Sequence, residues 1–120
     1  MEIRKWLEKI GRTIDKKDAS EFVNFLTEDC SFRFGNQPAV EGKKATKEYV
    51  DGFFSLISGC EHKIINLWEK KGSVVWQGEV KYKRLDLKEV TVDFVNIFYL
   101  RDELIKDYLI YIDNAPLFEE

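Results

Sequence analysis

Apolar and polar positions divide the chain into two halves with different periods. Ile3, Trp6, Leu7, Ile10 and Ile14 recur at helical spacing and predict an amphipathic first helix. Lys16-Lys17 interrupts it. Asp18, with Glu21 three residues on, has the capping-box pattern that opens a second helix, whose buried side is Phe22, Phe25 and Leu26. Cys30 to Phe34 alternates as a short strand and runs into a Gly35-Asn36-Gln37-Pro38 turn. A third helix is predicted from about Lys43 to Ser58, burying Ala45, Tyr49, Phe53, Leu56 and Ile57, with Gly59 as its stop. Beyond it the period changes to two. Glu61–Lys70, Ser73–Leu85, Glu89–Leu100 and Leu104–Asp113 read as four long strands joined by tight connections. Helices first and an antiparallel meander afterwards predict an α+β fold, three N-terminal helices on one face of a curved sheet.

Three helices cover one face only, yet both faces of these strands carry apolar residues. On the strand from Ser73, Trp76, Val80 and Tyr82 oppose Val75, Gln77, Glu79 and Lys81. On the next, Val92, Phe94, Phe98 and Leu100 oppose Asp93, Val95, Ile97 and Tyr99; on the last, Tyr108, Ile110 and Ile112 oppose Leu109, Tyr111 and Asp113. Rings left on the outer face exceed what a monomer normally exposes, which predicts a homodimer through that face. A single β-bulge would exchange the two sides of any strand.

Composition narrows the chemistry. A length of 120 residues is one domain, 1–120, with enough chain to bury a core without disulfides or metal. The net charge of −3 argues against nucleic acid and anionic membranes as partners. Basic clusters at Lys43-Lys44-Lys47 and Lys81-Lys83-Arg84 carry no interleaved aromatic platform. Cys30 and Cys60 lack zinc-type spacing and read as two inert thiols in a reducing compartment. With no apolar signal core and no apolar run of membrane-spanning length, the expectation is a soluble, cytoplasmic protein. The unusual feature is aromatic: three Trp, five Tyr and nine Phe stand against one histidine. His62, between Glu61 and Lys63, sits in a charged setting that predicts exposure. The rings are enough to wall a cavity for a small hydrophobic organic molecule.

The ending Ile-Lys-Asp-Tyr-Leu-Ile-Tyr-Ile-Asp-Asn-Ala-Pro-Leu-Phe (105–118), with Val-Asp-Phe-Val-Asn-Ile-Phe (92–98) and the Phe32-to-Pro38 stretch before Glu41-Gly42, resembles the SnoaL-like members of the nuclear transport factor 2-like superfamily. The resemblance spans essentially the whole chain. It implies a cone of three helices against a strongly bent sheet, a pocket between them, and frequent dimerisation. The superfamily holds enzymes and non-enzymes alike. Against the limonene epoxide hydrolase pattern, the last-strand carboxylate falls on Asp113 and the Asn on Asn36. Phe34 stands where a Tyr belongs, and Glu79-Val80-Lys81 reverses both charges of an Arg-x-Asp pair. The ketosteroid isomerase base, near Phe34, is missing. A polyketide-cyclase-like acid/base role for Asp113 meets the least contradiction.

The residues support two readings. One is an isomerase, cyclase or hydrolase without metal or cofactor, Asp113 serving as acid/base, Tyr111 and Lys81 assisting. Asn36, Phe34, Glu79, Val95, Leu109 and Trp6 would then line the pocket. The other is a non-catalytic ligand-binding or dimerisation module, with Asp113 merely capping the Asn114-Ala115-Pro116 turn. The discriminating observation is whether Asp113, Tyr111 and Lys81 converge on one enclosed cavity.

Overall fold

The computed structural model describes residues 1–119. Helix α1 (Ile3–Asp15) starts where the Glu2 carboxylate accepts the backbone N–H groups of Arg4 and Lys5, satisfying donors that the first turn leaves free. Its buried stripe is Ile3, Leu7 and Ile10. Asp18 caps α2 (Ala19–Phe22) through the N–H of Glu21 at 3.0 Å. The Glu21 side chain does not return to the cap; it accepts from the Thr13 hydroxyl, 3.4 Å away, and ties α2 to α1. A 3-10 turn, Val23–Phe25, leads into β1 (Leu26–Phe34). Then follow β2 (Val40–Glu41), α3 (Lys43–Phe54), β3 (Ile57–Lys70), β4 (Ser73–Arg84), β5 (Glu89–Arg101), β6 (Leu104–Ile112) and a closing 3-10 turn, Ala115–Leu117. Among the described residues no helix is long and apolar enough to cross a membrane.

The six strands form one sheet in the order β2-β1-β6-β5-β4-β3, antiparallel except where β1 runs parallel to β6. The α+β arrangement predicted from periodicity is therefore present. Its later strands end within one residue of expectation, and the larger changes are three. The first strand begins at Leu26, not Cys30, because Leu26 pairs with Ile105 and is fully buried, so the second helix is short. The third helix ends at Phe54, where Ser55 turns its hydroxyl onto the Gly52 carbonyl. Leu56 is exposed there, and Ile57 opposes Arg84 as the first residue of β3. Gly59 thus lies inside a strand, because pairing with β4 overrides local helical preference.

Inner and outer faces follow the predicted alternation. Val74, Trp76, Val80 and Tyr82 of β4 and Val92, Phe94, Asn96 and Phe98 of β5 are buried under the helices. On β6 a register irregularity opposite Tyr99 and Leu100 lets Ile105 and Tyr108, three apart, both face inward. Beyond it Tyr108, Ile110 and Ile112 keep one side, and Tyr111 is turned to solvent. Rings pack edge-on through this core: Trp6 against Phe98 at 5.8 Å, and Phe22 against Tyr108 at 5.5 Å.

The β5–β6 connection holds Asp102 and Glu103 both at positive φ, 53° and 66°. Two side-chain-bearing residues in the left-handed region each oppose the steric preference of L-amino acids. Replacing the pair with Asn-Gly, which suits a two-residue hairpin turn, stabilises the fold by about 1 kcal/mol. A higher melting temperature with unchanged spectroscopic secondary structure is the expected readout.

Candidate active site

Between the helices and the inner sheet face lies a small cavity of about 50 Å³, walled by Phe22, Phe32, Tyr49, Phe54, Tyr82 and Tyr108 among others. A hollow of about 570 Å³ at the wide end of the cone adjoins it. Phe34, Tyr49, Phe53 and Ile112 belong to both. The Phe34 and Phe53 rings, 4.9 Å apart, stand between the two spaces.

Few polar groups reach this apolar cavity, and each comes from a fixed element. His62 is on β3, facing inward with Cys60 because residues two apart on a strand share a side. Asp15 is the last residue of α1. It reaches the sheet because Gly11, one turn earlier, lets the helix approach closely; a Cβ there would stand 3.3 Å from the Trp76 ring. The Asp15 carboxylate accepts the backbone N–H of His62 at 3.0 Å, and its second oxygen is 2.6 Å from His62 Nδ1. A carboxylate accepts, so Nδ1–H donates, and in the neutral ring Nε2 is then the lone-pair nitrogen. The imidazole side chain is 11% exposed and packs between Phe94 and Trp76, ring centroids 5.5 and 5.9 Å away.

Asn96, 3% exposed, opposes Trp76 on one side and Ile110 on the other, and its Oδ1 has no hydrogen-bond partner among the described residues. A buried unpaired acceptor is costly unless something supplies a donor. Burial raises the hydroxyl pKa of Tyr49, Tyr82 and Tyr108 above the ordinary phenol value, so these groups stay protonated and can donate. Burial, and then the Asp15 charge, push the Cys60 thiol up to about 12, so it is no nucleophile near neutrality. Cys60, His62 and Asp15 place a sulfur, a ring nitrogen and a carboxylate oxygen within 4.8 Å of one another, the one such group of three among the described residues.

The residues singled out from the sequence do not meet in this cavity. Asp113 is exposed beyond the end of β6, at the rim of the wide-end hollow, and its carboxylate accepts the N–H of Ala115 at 3.1 Å. Asn36 lies on the same rim. Tyr111, Glu79 and Val95 border, with Asp113 again, a depression of about 510 Å³ on the outer sheet face, because odd-numbered positions of β4 and β5, and of β6 beyond its irregularity, point away from the helices. Tyr111 also lies under the Arg33 guanidinium, 5.5 Å from its ring centre. Lys81 is half-exposed on that outer face, 3.7 Å from Glu89 and 4.0 Å from Glu61. Leu109 is on the same side, opposite Ile97. Trp6 packs on Phe98 outside the cavity wall, whereas Phe34 lines it. Asp113 and Tyr111 share that open depression, and among the described residues no enclosed cavity brings the two together with Lys81.

Sequence reasoning missed His62, Asp15 and Asn96. The charged neighbours of His62 predicted exposure, but on a strand those neighbours point to the opposite face. Asn96 carried a legible signal, a lone amide at an inward position between Phe94 and Phe98. Asp15 had none, because its role depends on where the helix end meets β3.

A family model described as the SnoaL-like domain matches residues 3–108. Among curated proteins nothing matches the chain. Similar solved structures include a nuclear transport factor 2-like protein from Anabaena variabilis, 19% identical with a TM-score of 0.82 over 94% of this chain and 87% of that one. The epoxide hydrolase/cyclase-like enzyme SalBIII, described for pyran ring formation in the polyether salinomycin, is 15% identical with a TM-score of 0.79 (93% and 91%). An LEH-like epoxide hydrolase from M. tuberculosis is 16% identical with a TM-score of 0.77 (93% and 83%). With nearly all of its length matched and its helices and six-stranded sheet arranged as in these structures, the chain belongs to the SnoaL-like domain family and has the nuclear transport factor 2-like fold.

Proposed function

We propose that this chain is an acid/base enzyme, an isomerase, cyclase or hydrolase, acting on a small hydrophobic molecule, with His62 moving the proton and Asp15 orienting it. The observation that carries the reading is the Asp15–His62 hydrogen bond at the cavity wall. A carboxylate on Nδ1 fixes the tautomer and stabilises the imidazolium that forms when Nε2 accepts a proton. The protonated phenols of Tyr82 and Tyr108 suit a developing negative charge on a ligand oxygen. Aromatic walls keep water away from the transfer. Similarity to an epoxide hydrolase/cyclase-like enzyme and an epoxide hydrolase supports the reaction class. A cavity of about 50 Å³ is far below the usual ligand pocket of roughly 300–1,000 Å³. A substrate therefore enters from the wide-end hollow and displaces the Phe34 and Phe53 rings.

The test is a panel of small alicyclic and aromatic epoxides and unsaturated ketones, followed for turnover and for thermal stabilisation. Turnover that survives Asp113→Asn and fails in His62→Gln is expected. Turnover lost in Asp113→Asn but kept in His62→Gln would return the acid/base role to the rim carboxylate. Stabilisation without turnover by any member identifies a binding module instead.

The proposal includes a second copy of the chain on the outer sheet face. Ile65, Trp68, Tyr99 and Tyr111 are each about half exposed there, with Val95, Ile97 and Leu109 partly covered between them. Such a contiguous apolar face is more than isolated surface residues require. Light scattering should give a dimer mass, and Trp68→Ser with Tyr111→Ser a monomer that keeps its fold; a monomeric wild type overturns the assignment.

A further inference from the structure

We infer that Asp15, Cys60 and His62 form a binding site for a divalent transition-metal ion of the zinc and cobalt type. The inference is separate from the proton-transfer reading and does not need it to hold. The donor set is one thiol, one imidazole nitrogen and one carboxylate, a borderline-soft combination that suits zinc or cobalt and not magnesium or calcium. Two ligands come from alternate positions of one strand and the third from the end of a packed helix, so all three stand on rigid elements.

The distances fit. Bonds of roughly 2.0–2.3 Å at tetrahedral angles put ligand atoms about 3.4–3.6 Å apart. The three donor atoms already lie within 4.8 Å of one another, so the longer separations close by little more than 1 Å. The Asp15 Oδ1 to His62 Nδ1 separation of 2.6 Å opens by about 1 Å as the ion replaces the shared proton. Side-chain rotation supplies movements of this size, because the Cys60 sulfur is held by a long 3.7 Å contact to the Ile14 carbonyl and by the Asp15 carboxylate with which it would share the ion. Binding releases one proton to solvent, from the Cys60 thiol, while the His62 proton moves from Nδ1 to Nε2, leaving thiolate, carboxylate and neutral imidazole around the ion.

An access route exists. A surface depression of about 260 Å³ between α1 and the sheet is bordered by Glu8, Gly11, Asp15, His62 and Ile64, so the ion need not pass through the aromatic cavity. Arg4 and Arg12 also border it, and Lys17 is near, its ammonium donating to the Ile57 carbonyl. These charges oppose a cation and make the site one for a strongly ligated ion. Three protein ligands leave a fourth position for water or a small anion. A bound ion occupies both His62 Nδ1 and Asp15, so it blocks proton transfer by that pair until a chelator removes it.

The test is a cobalt titration of reduced, chelator-treated protein. One equivalent is expected to produce a thiolate-to-cobalt charge-transfer absorption together with intense visible bands of tetrahedral cobalt. Cys60→Ser abolishes the charge-transfer band, Cys30→Ala retains it, and His62→Gln weakens binding by at least about tenfold. Cys60→Ser is nearly isosteric, and a cooperative thermal transition verifies that it folds. The assignment is overturned by the absence of the band in wild type, by its survival in Cys60→Ser, or by its loss in a folded Cys30→Ala protein.

Discussion

His62→Gln lowers turnover of a substrate by about 10²–10⁴-fold, the usual contribution of a positioned general acid or base. Glutamine keeps a polar side chain of similar reach, so the inner face stays filled and Asp15 keeps the His62-position backbone N–H at 3.0 Å. What disappears is a nitrogen that takes and returns a proton. The loss falls on kcat with little change in KM, the signature of an interaction made only in the transition state. Asp15→Asn is a less clean probe. Its carboxylate accepts from both the ring and the backbone of residue 62, so an amide there weakens two hydrogen bonds and lowers stability by about 1–3 kcal/mol as well. A His62→Gln enzyme with wild-type kcat would remove the histidine from the mechanism, whatever the substrate.

Gly78→Ala destabilises the fold by about 3 kcal/mol, at the upper end of ordinary overpacking. Gly78 is in the middle of β4, opposite Ile64 on β3 and Phe94 on β5. The Phe94 ring lies over it: a Cβ would meet Phe94 Cζ at 2.5 Å and would also press on the Lys63 carbonyl oxygen of the neighbouring strand. One obstacle is a ring and the other is backbone, and neither yields cheaply. Phe94 packs in turn on His62 and Trp76, at 5.5 and 5.2 Å, so its displacement also disturbs the proton-transferring pair. Denaturant unfolding should show a lower midpoint at unchanged m-value. Adding Phe94→Leu should recover part of the loss and not all, because the Lys63 carbonyl remains. An unchanged midpoint in Gly78→Ala would mean that the ring does not cover the glycine.

Legibility differed between the scaffold and the site for a physical reason. Alternation along β4 and β5 separated the faces correctly, since period-two patterning is a local property of the strand. The motif-bearing end of the chain was equally visible, and Asp113 drew attention as a carboxylate near a recognisable ending. Its surroundings were not visible. The chain turns after Ile112, and Asp113 binds the N–H of Ala115 at the rim. Conversely, His62 looked exposed because Glu61 and Lys63 flank it, whereas a strand sends those two side chains outward and the imidazole inward.

The first helix, the strand periods, the capping Asp18, the aromatic excess and the placement of Lys81 and Tyr111 on the strand side opposite Trp76, Phe94 and Tyr108 are all written in residue order, because each depends on neighbours within a few positions; which of the two sides faces outward is not. The union of Asp15 with His62, 47 residues apart, is not. Nor is the unpaired Asn96 acceptor among aromatic walls, the separation of the small cavity from the wide-end hollow by Phe34 and Phe53, or the approach of Cys60 to both members of the pair. Those follow from how closely α1 settles on β3 and β4 at Gly11 and from which sheet face the helices cover. Both are set by long-range packing, for which no local period in the sequence carries a signal.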